Sequence, residues 1–116
     1  MKLFKVIEDY KSPYPEPNVF QAGEKVQVGE KFEDDPEWQD WFWCEGENQQ
    51  KAWVPKLYLQ MDGHVGVFIQ DYNALELTLQ VGEILTGFEE VNGFCMAENE
   101  NGQKGWAPLK NLEVME

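Results

Sequence analysis

Residues with catalytic or metal-binding side chains are few and scattered in this 116-residue sequence. The one histidine, His64, lies in a short segment next to a glycine. The two cysteines, Cys44 and Cys95, are far apart and in no metal-ligand spacing. The sequence contains no recognisable set of nucleophile, base and orienting group, and no glycine-rich phosphate loop. We therefore predict a protein that is not an enzyme and that holds no metal ion and no cofactor.

The side chains best suited to binding are aromatic, at 14% of the residues with five tryptophans, enough to fill small cores and leave rings for a surface. Trp41, Phe42 and Trp43 are consecutive. Neighbours along a strand point to opposite faces, so the three cannot all lie in one core. Exposed tryptophan often marks recognition, and we therefore predict that Trp41 contacts a ligand. Packing of this ring against another domain or a second copy is the alternative.

The formal net charge is −13, from 22 acidic residues against 9 basic ones. Nucleic acids and anionic membrane surfaces are bound through basic faces, so this chain would repel both. A basic protein segment is the expected partner, with no nucleic acid and no membrane. A role of the charge in solubility alone fits the composition equally well.

The sequence repeats itself, because three blocks recur in the same order in both halves. The paired blocks are Val6–Tyr10 with Phe68–Tyr72, Phe20–Val28 with Leu79–Gly87, and Asp40–Leu59 with Gly93–Leu112. Cys44 and Cys95 are not equivalent in this alignment, which argues against a shared metal role. The length differences fall between the blocks, as expected for loops on a common scaffold.

The blocks have the pattern of short β-strands. Lys25–Val28 alternates polar and apolar residues, and nowhere do apolar residues recur at helical spacing over ten or more positions. Asn101-Gly102 predicts a hairpin with a type I′ turn, since both central residues of that turn need positive φ. We therefore predict an all-β fold.

The order of the blocks resembles the SH3 (Src-homology-3) domain. That family begins with an ALYDY-like strand and ends with a G-[WY]-[VIF]-P-x-x-[YF] segment. VIEDY and AWVPKLYL fill these places in the first half, and FIQDY and GWAPLKNL fill them in the second. The resemblance implies two small SH3-like five-stranded barrels in tandem, at residues 1–60 and 61–116. Contact between the barrels is expected, because each is near the lower size limit for folding alone.

In SH3 domains, aromatic rings form a groove for an extended proline-rich peptide, and acidic loop residues attract its basic side chain. The resemblance implies a groove in the first barrel formed by Tyr10, Trp41, Trp53, Pro55 and Tyr58. It implies an acidic loop set of Glu16, Asp34, Asp35 and Glu37. A weaker second groove would comprise Tyr72, Phe94, Trp106 and Pro108. Glu8 departs from the first groove, and Gln70 and Asn111 depart from the second, where the family has tyrosines.

The sequence therefore predicts a module that binds an extended basic segment, with or without proline. The alternative is an acidic inhibitor or immunity-type protein that covers a basic enzyme surface. No segment resembles a signal peptide or a membrane span, so a cytoplasmic location with two free thiols is expected.

Overall fold

A computed structural model describes residues 2–13, 18–33, 38–47 and 50–115 of the chain. The helices and strands that lie wholly within these residues are β-strands and two short 3₁₀ helices, Lys56–Tyr58 and Leu109–Asn111, which confirms the all-β prediction. The strands are β1 (Lys2–Val6), β2 (Val19–Phe20), β3 (Lys25–Lys31), β4 (Trp41–Glu45), β5 (Lys51–Pro55), β6 (Leu59–Asp62), β7 (Val65–Phe68), β8 (Tyr72–Asn73), β9 (Ile84–Val91), β10 (Phe94–Glu98), β11 (Lys104–Pro108) and β12 (Leu112–Val114).

The described strands form two five-stranded antiparallel sheets and a short β2–β8 pair. One sheet has the order β11-β10-β9-β1-β12, and the other has the order β5-β4-β3-β7-β6. The two orders correspond strand by strand under the sequence alignment, except that the first strands of the two repeats have changed places. β1 pairs with β9 and β12, which belong to the second repeat, and β7 pairs with β3 and β6, which belong to the first.

This exchange corrects the division into residues 1–60 and 61–116. The chain separates instead into unit 1, Met1–Glu16 with Leu75–Glu116, and unit 2, Pro17–Ala74. The physical reason lies in the turn Gly63-His64, the only two residues between β6 and β7. Gly63 has a φ of +62°, and so short a turn makes β7 the antiparallel neighbour of β6. The strand that opens the second repeat therefore stays in the sheet of the first.

Each unit has its own hydrophobic core. In unit 1, Phe4 and Val6 of β1 pack into a cluster with Leu77, Leu79, Leu85, Cys95, Ala97, Ala107 and Leu112. In unit 2, the ring of Phe68 from β7 stacks on Phe20 at 4.7 Å and on Tyr72 at 5.8 Å. The exchanged strands thus supply large buried side chains to both cores, where such burial contributes about 1.5–3 kcal/mol per residue.

The predicted hairpin at Asn101-Gly102 exists, but its turn is not of type I′. Only Gly102 has positive φ, and the Asn99 carboxamide oxygen accepts hydrogen bonds from the backbone N–H groups of Asn101 and Gln103. The side chain of Asn99 thus favours a longer loop. The two positive φ values of a type I′ turn occur instead at Asn92 and Gly93, between β9 and β10.

The exchange predicts how shortened chains behave. A chain of residues 64–115 lacks β1, the strand between β9 and β12, and is expected to show no cooperative thermal unfolding by circular dichroism. A chain of residues 17–74 keeps β3 to β7 and is expected to unfold cooperatively. Cooperative unfolding of the 64–115 chain would contradict the exchanged strand order.

Candidate functional site

A row of four aromatic rings lies in unit 2. Trp43 of β4 is the direct cross-strand partner of Trp53 of β5, and their rings are 5.3 Å apart. Phe32 contacts the Trp53 ring edge-on at 5.2 Å, and Trp38 contacts Phe32 at 5.6 Å. All four side chains are partly exposed. The row joins two strands to the loop between β3 and β4, and we call it the aromatic row.

Trp41, by contrast, is buried at 5% exposure, which favours the packing alternative, and its contact with a ligand stays a prediction. Alternation along β4 places Trp41 on the same face as Trp43. Its cross-strand partner Pro55 is also buried. The end of this β4–β5 face that holds Trp41 and Pro55 is therefore covered, and the end that holds Trp43 and Trp53 is partly exposed. The requirement that one ring of the Trp41–Trp43 triplet be exposed is met by Phe42 and Trp43, both partly exposed.

The strand exchange also changes which tyrosine accompanies the first-repeat rings. Tyr10 lies in unit 1, where its hydroxyl donates a 2.6 Å hydrogen bond to Glu76. Its place in unit 2 is taken by Tyr72, which contacts the Tyr58 ring at 4.9 Å and donates a 2.7 Å hydrogen bond to the Trp53 carbonyl oxygen. The set Tyr10, Trp41, Trp53, Pro55 and Tyr58 therefore divides between the units. Trp53 is its partly exposed member in unit 2, since Tyr58 is buried like Trp41 and Pro55.

The second predicted groove divides in the same way. Tyr72 belongs to unit 2, and Phe94, Trp106 and Pro108 belong to unit 1; all four are buried. The backbone N–H and C=O of Trp106 bond to Leu75 and Leu77, so the chain itself lines this edge of β11. Asn111, at the position of Tyr58, is buried and donates to the carbonyl oxygens of Glu8 and Asp9 at 3.2 Å. Packing thus involves all of these residues, and binding by a second groove stays a prediction.

The charges near the aromatic row are mostly acidic. Glu33 follows Phe32 and is exposed, and Asp40 precedes Trp41 and lies 3.6 Å from Lys31. At the other end, Glu45 lies 3.8 Å from Lys51. The predicted acidic residues Glu16, Asp34, Asp35 and Glu37 lie outside the described residues. The described part of the loop therefore has carboxylates close in sequence to rings of the row, with Glu33 next to Phe32 and Asp40 two residues after Trp38.

Both cysteines are buried free thiols. Burial raises the pKa of the Cys44 thiol to about 12, and burial, with the Glu90 charge second, raises that of Cys95. Neither has the lowered pKa of a reactive thiol. Burial also raises the pKa of Glu76, opposed by the Tyr10 hydrogen bond. Across the described ranges, no three His, Cys, Asp or Glu side chains are grouped as a metal site requires. No described helix is long and apolar enough to cross a membrane.

Sequence reasoning missed three members of the aromatic row as a set: Phe32, Trp38 and Trp43. Two signals could have indicated them. Strand alternation from Trp41 places Trp43 on the same face, and Phe32 and Trp38 flank the acidic segment on both sides. The cross-strand contact of Trp43 with Trp53 depends on hairpin register, which the repeat alignment alone does not supply.

Comparison with known families gives one match: residues 64–115 match the variant SH3 domain. The match covers the second repeat, less than half of the chain, and indicates a protein-interaction module. It begins one residue before β7, the strand that the fold assigns to unit 2. No significant match was found among curated proteins or among solved structures.

The burial of Trp41 makes a testable prediction about stability. Trp41→Ala removes a buried indole and is expected to lower the free energy of unfolding by about 3–5 kcal/mol, as for other large-to-small core changes. Trp43→Ala, at a partly exposed position on the same strand, is the matched control and should cost clearly less. Urea unfolding measures both, and equal losses would show that Trp41 is no more buried than Trp43.

The raised thiol pKa values make a second prediction. Both thiols stay protonated at pH 8, so a disulfide reagent such as DTNB is expected to react much more slowly with the native protein than with the urea-unfolded chain. The native rate should rise as pH increases toward the pKa of about 12 for Cys44. Rapid reaction of either thiol in the native protein at pH 8 would contradict its buried position.

Proposed function

We propose that this protein is a non-enzymatic protein-binding module whose aromatic row in unit 2 contacts an extended basic segment, with or without proline. The observation that carries the proposal is the row itself. Its ring contacts run from Trp38 to Phe32, from Phe32 to Trp53 and from Trp53 to Trp43, with centroids 5.2–5.6 Å apart, and all four side chains are partly exposed. A soluble domain gains little by leaving several large rings partly in water, and such clusters commonly serve recognition.

Ring stacking suits an extended partner. A polyproline-II segment is already extended, so it loses little conformational entropy when it binds across aromatic side chains. The variant SH3 match of residues 64–115 supports binding of this general class. The rings of the row are held by a β-hairpin and by contacts among themselves, so ligand binding would require little ordering of the site.

The charge favours a basic partner. Unit 2 has eleven acidic residues and four lysines, a formal charge of −7. Glu33 and Asp40 flank the loop that holds Trp38. A Lys or Arg side chain over a tryptophan face contributes roughly 0.5–2 kcal/mol, depending on desolvation. Rings would therefore supply contact area, and carboxylates would select a cation and orient it.

Binding can be tested with a fluorescent peptide that has proline at every third position and two arginines. Fluorescence anisotropy should show that Trp43→Ala and Trp53→Ala each weaken binding by about ten-fold, or ~1.4 kcal/mol. Phe88→Ala is the matched control, because Phe88 is an aromatic ring of unit 1 at 44% exposure and should not affect the affinity. Thermal melts would establish that the variants stay folded. Unchanged affinity in both folded tryptophan variants would refute the proposal.

Salt dependence separates ring contacts from capture by charge alone, which the inhibitor alternative requires. Raising the salt concentration from about 0.1 M to 1 M shortens the screening length from ~10 Å to ~3 Å. Binding through stacked rings should weaken only a few-fold over this range. A loss of several orders of magnitude, unaffected by Trp43→Ala, would favour capture by a broad acidic surface instead.

A further inference from the structure

The exchanged strands differ in side-chain size at one core position. The aligned blocks make Val6 equivalent to Phe68, so Phe4 of β1 is equivalent to Gly66 of β7. The neighbouring strand has the opposite size: β9, beside Phe4, has a small residue, and β3, beside Gly66, has a larger one. The aligned blocks also make Val28 at the core face of β3 equivalent to Gly87 of β9. The first repeat therefore has the larger residue at both positions and the second repeat has glycine at both, so the exchange gives each unit one larger residue and one glycine.

In unit 1 the large residue is Phe4 and the small one is Gly87. A Cβ atom placed on Gly87 would lie 2.5 Å from Cε2 of Phe4 and 2.8 Å from Sγ of Cys95, closer than carbon atoms can approach. Gly87 does not have positive φ, so the backbone conformation would accept any residue. The space that a side chain would need at Gly87 is taken mainly by the Phe4 ring and also by the Cys95 sulfur.

In unit 2 the sizes are reversed. A Cβ atom placed on Gly66 would lie 3.0 Å from Cγ2 of Val28, 3.4 Å from Cγ2 of Val26 and 3.5 Å from Cδ2 of Leu59. A single methyl group would already be tight at this position, and a phenylalanine ring could not be accommodated. Gly66, like Gly87, does not have positive φ. The side chain of Val28 fills the space that Gly66 leaves.

Pairing within each repeat would mismatch both sites. Phe4 would face Val28, where even a methyl group is crowded, and overpacking of a core is destabilising. Gly66 would face Gly87 and leave a cavity where the Phe4 ring now lies, which is also destabilising. Backbone register does not distinguish pairing within a repeat from pairing between repeats. Val6 pairs with Leu112, and the equivalent residue Phe68 pairs with the equivalent residue Leu59. The discrimination comes from side-chain volume.

We propose that the pairs Phe4–Gly87 and Gly66–Val28 determine which strand enters which sheet, so that the two sequence repeats recognise each other's first strand and reject their own. The turn Gly63-His64 keeps β7 beside β6, and the volume pairs select the matching partner for β1. This inference is independent of the proposed function, because none of the four residues belongs to the aromatic row.

Double-mutant cycles test the volume pairs. Gly87→Ala is expected to lower the folding equilibrium constant by about ten-fold, and Phe4→Leu should reduce that effect at least about three-fold by making room. The matched cycle combines Phe4→Leu with Val28→Ala, where the effects should be independent to within about two-fold. Coupling of Phe4 with Val28 and none with Gly87 would overturn the proposal.

Cross-strand disulfides give a second test, which applies even if Gly87→Ala fails to fold. Lys5 and Glu113 are exposed direct partners, and the equivalent of Glu113 in the first repeat is Gln60. Paired Cα atoms in an antiparallel sheet are close enough for a disulfide. The variant with Lys5→Cys and Glu113→Cys should oxidise to an intramolecular disulfide, measured by non-reducing mass spectrometry. The control with Lys5→Cys and Gln60→Cys should remain reduced.

Preferential oxidation of the control variant would overturn the exchange. A Lys5→Cys, Glu113→Cys disulfide found only between two copies, at doubled mass, would also overturn it, since the strands would then be traded between chains. An intramolecular disulfide in the first variant, together with coupling of Phe4 to Gly87, would support the proposal.

Discussion

The pairing of β1 between β9 and β12 is the interaction on which the rest of the fold depends. β1 is the fourth of five strands in its sheet, and it brings Phe4 and Val6 into the core of unit 1. Its counterpart β7 occupies the corresponding position in the other sheet because only Gly63 and His64 separate it from β6. A tight turn in the middle of the chain thus determines where the first strand of the chain belongs.

The aromatic residues follow from this arrangement. Because β7 continues toward Tyr72, that tyrosine joins Tyr58 and the carbonyl group of Trp53 in unit 2, while Tyr10 bonds to Glu76 in unit 1. The tyrosines of the two opening motifs are thereby exchanged together with their strands. The aromatic row consists of first-repeat residues, but one of them, Trp53, accepts a hydrogen bond from Tyr72 of the second repeat. A substitution at Tyr72 would therefore affect the aromatic row.

Much of the fold could be predicted from the sequence, because strands, turns and repeat blocks are local patterns. Lys25–Val28 alternates as a half-buried strand should, and the equivalence of Trp53 with Trp106 follows from the aligned blocks. The partner of β1 could not be predicted in this way, because both repeats offer it the same backbone register. The choice depends on the length of one turn and on volumes at residues far apart in sequence, such as Phe4 and Gly87. The burial of Trp41 was hidden for a similar reason, since alternation gives the face of a side chain but not what covers it.

Nuclear Overhauser contacts in the unaltered, isotope-labelled protein measure the strand exchange most directly. Backbone protons of directly paired antiparallel residues lie close enough to give strong cross-peaks. The account predicts cross-peaks between Lys5 and Glu113 and between Gln60 and Val67, matching the paired residues of β1 with β12 and of β6 with β7. Cross-peaks between Lys5 and Gln60, with none between Lys5 and Glu113, would contradict it.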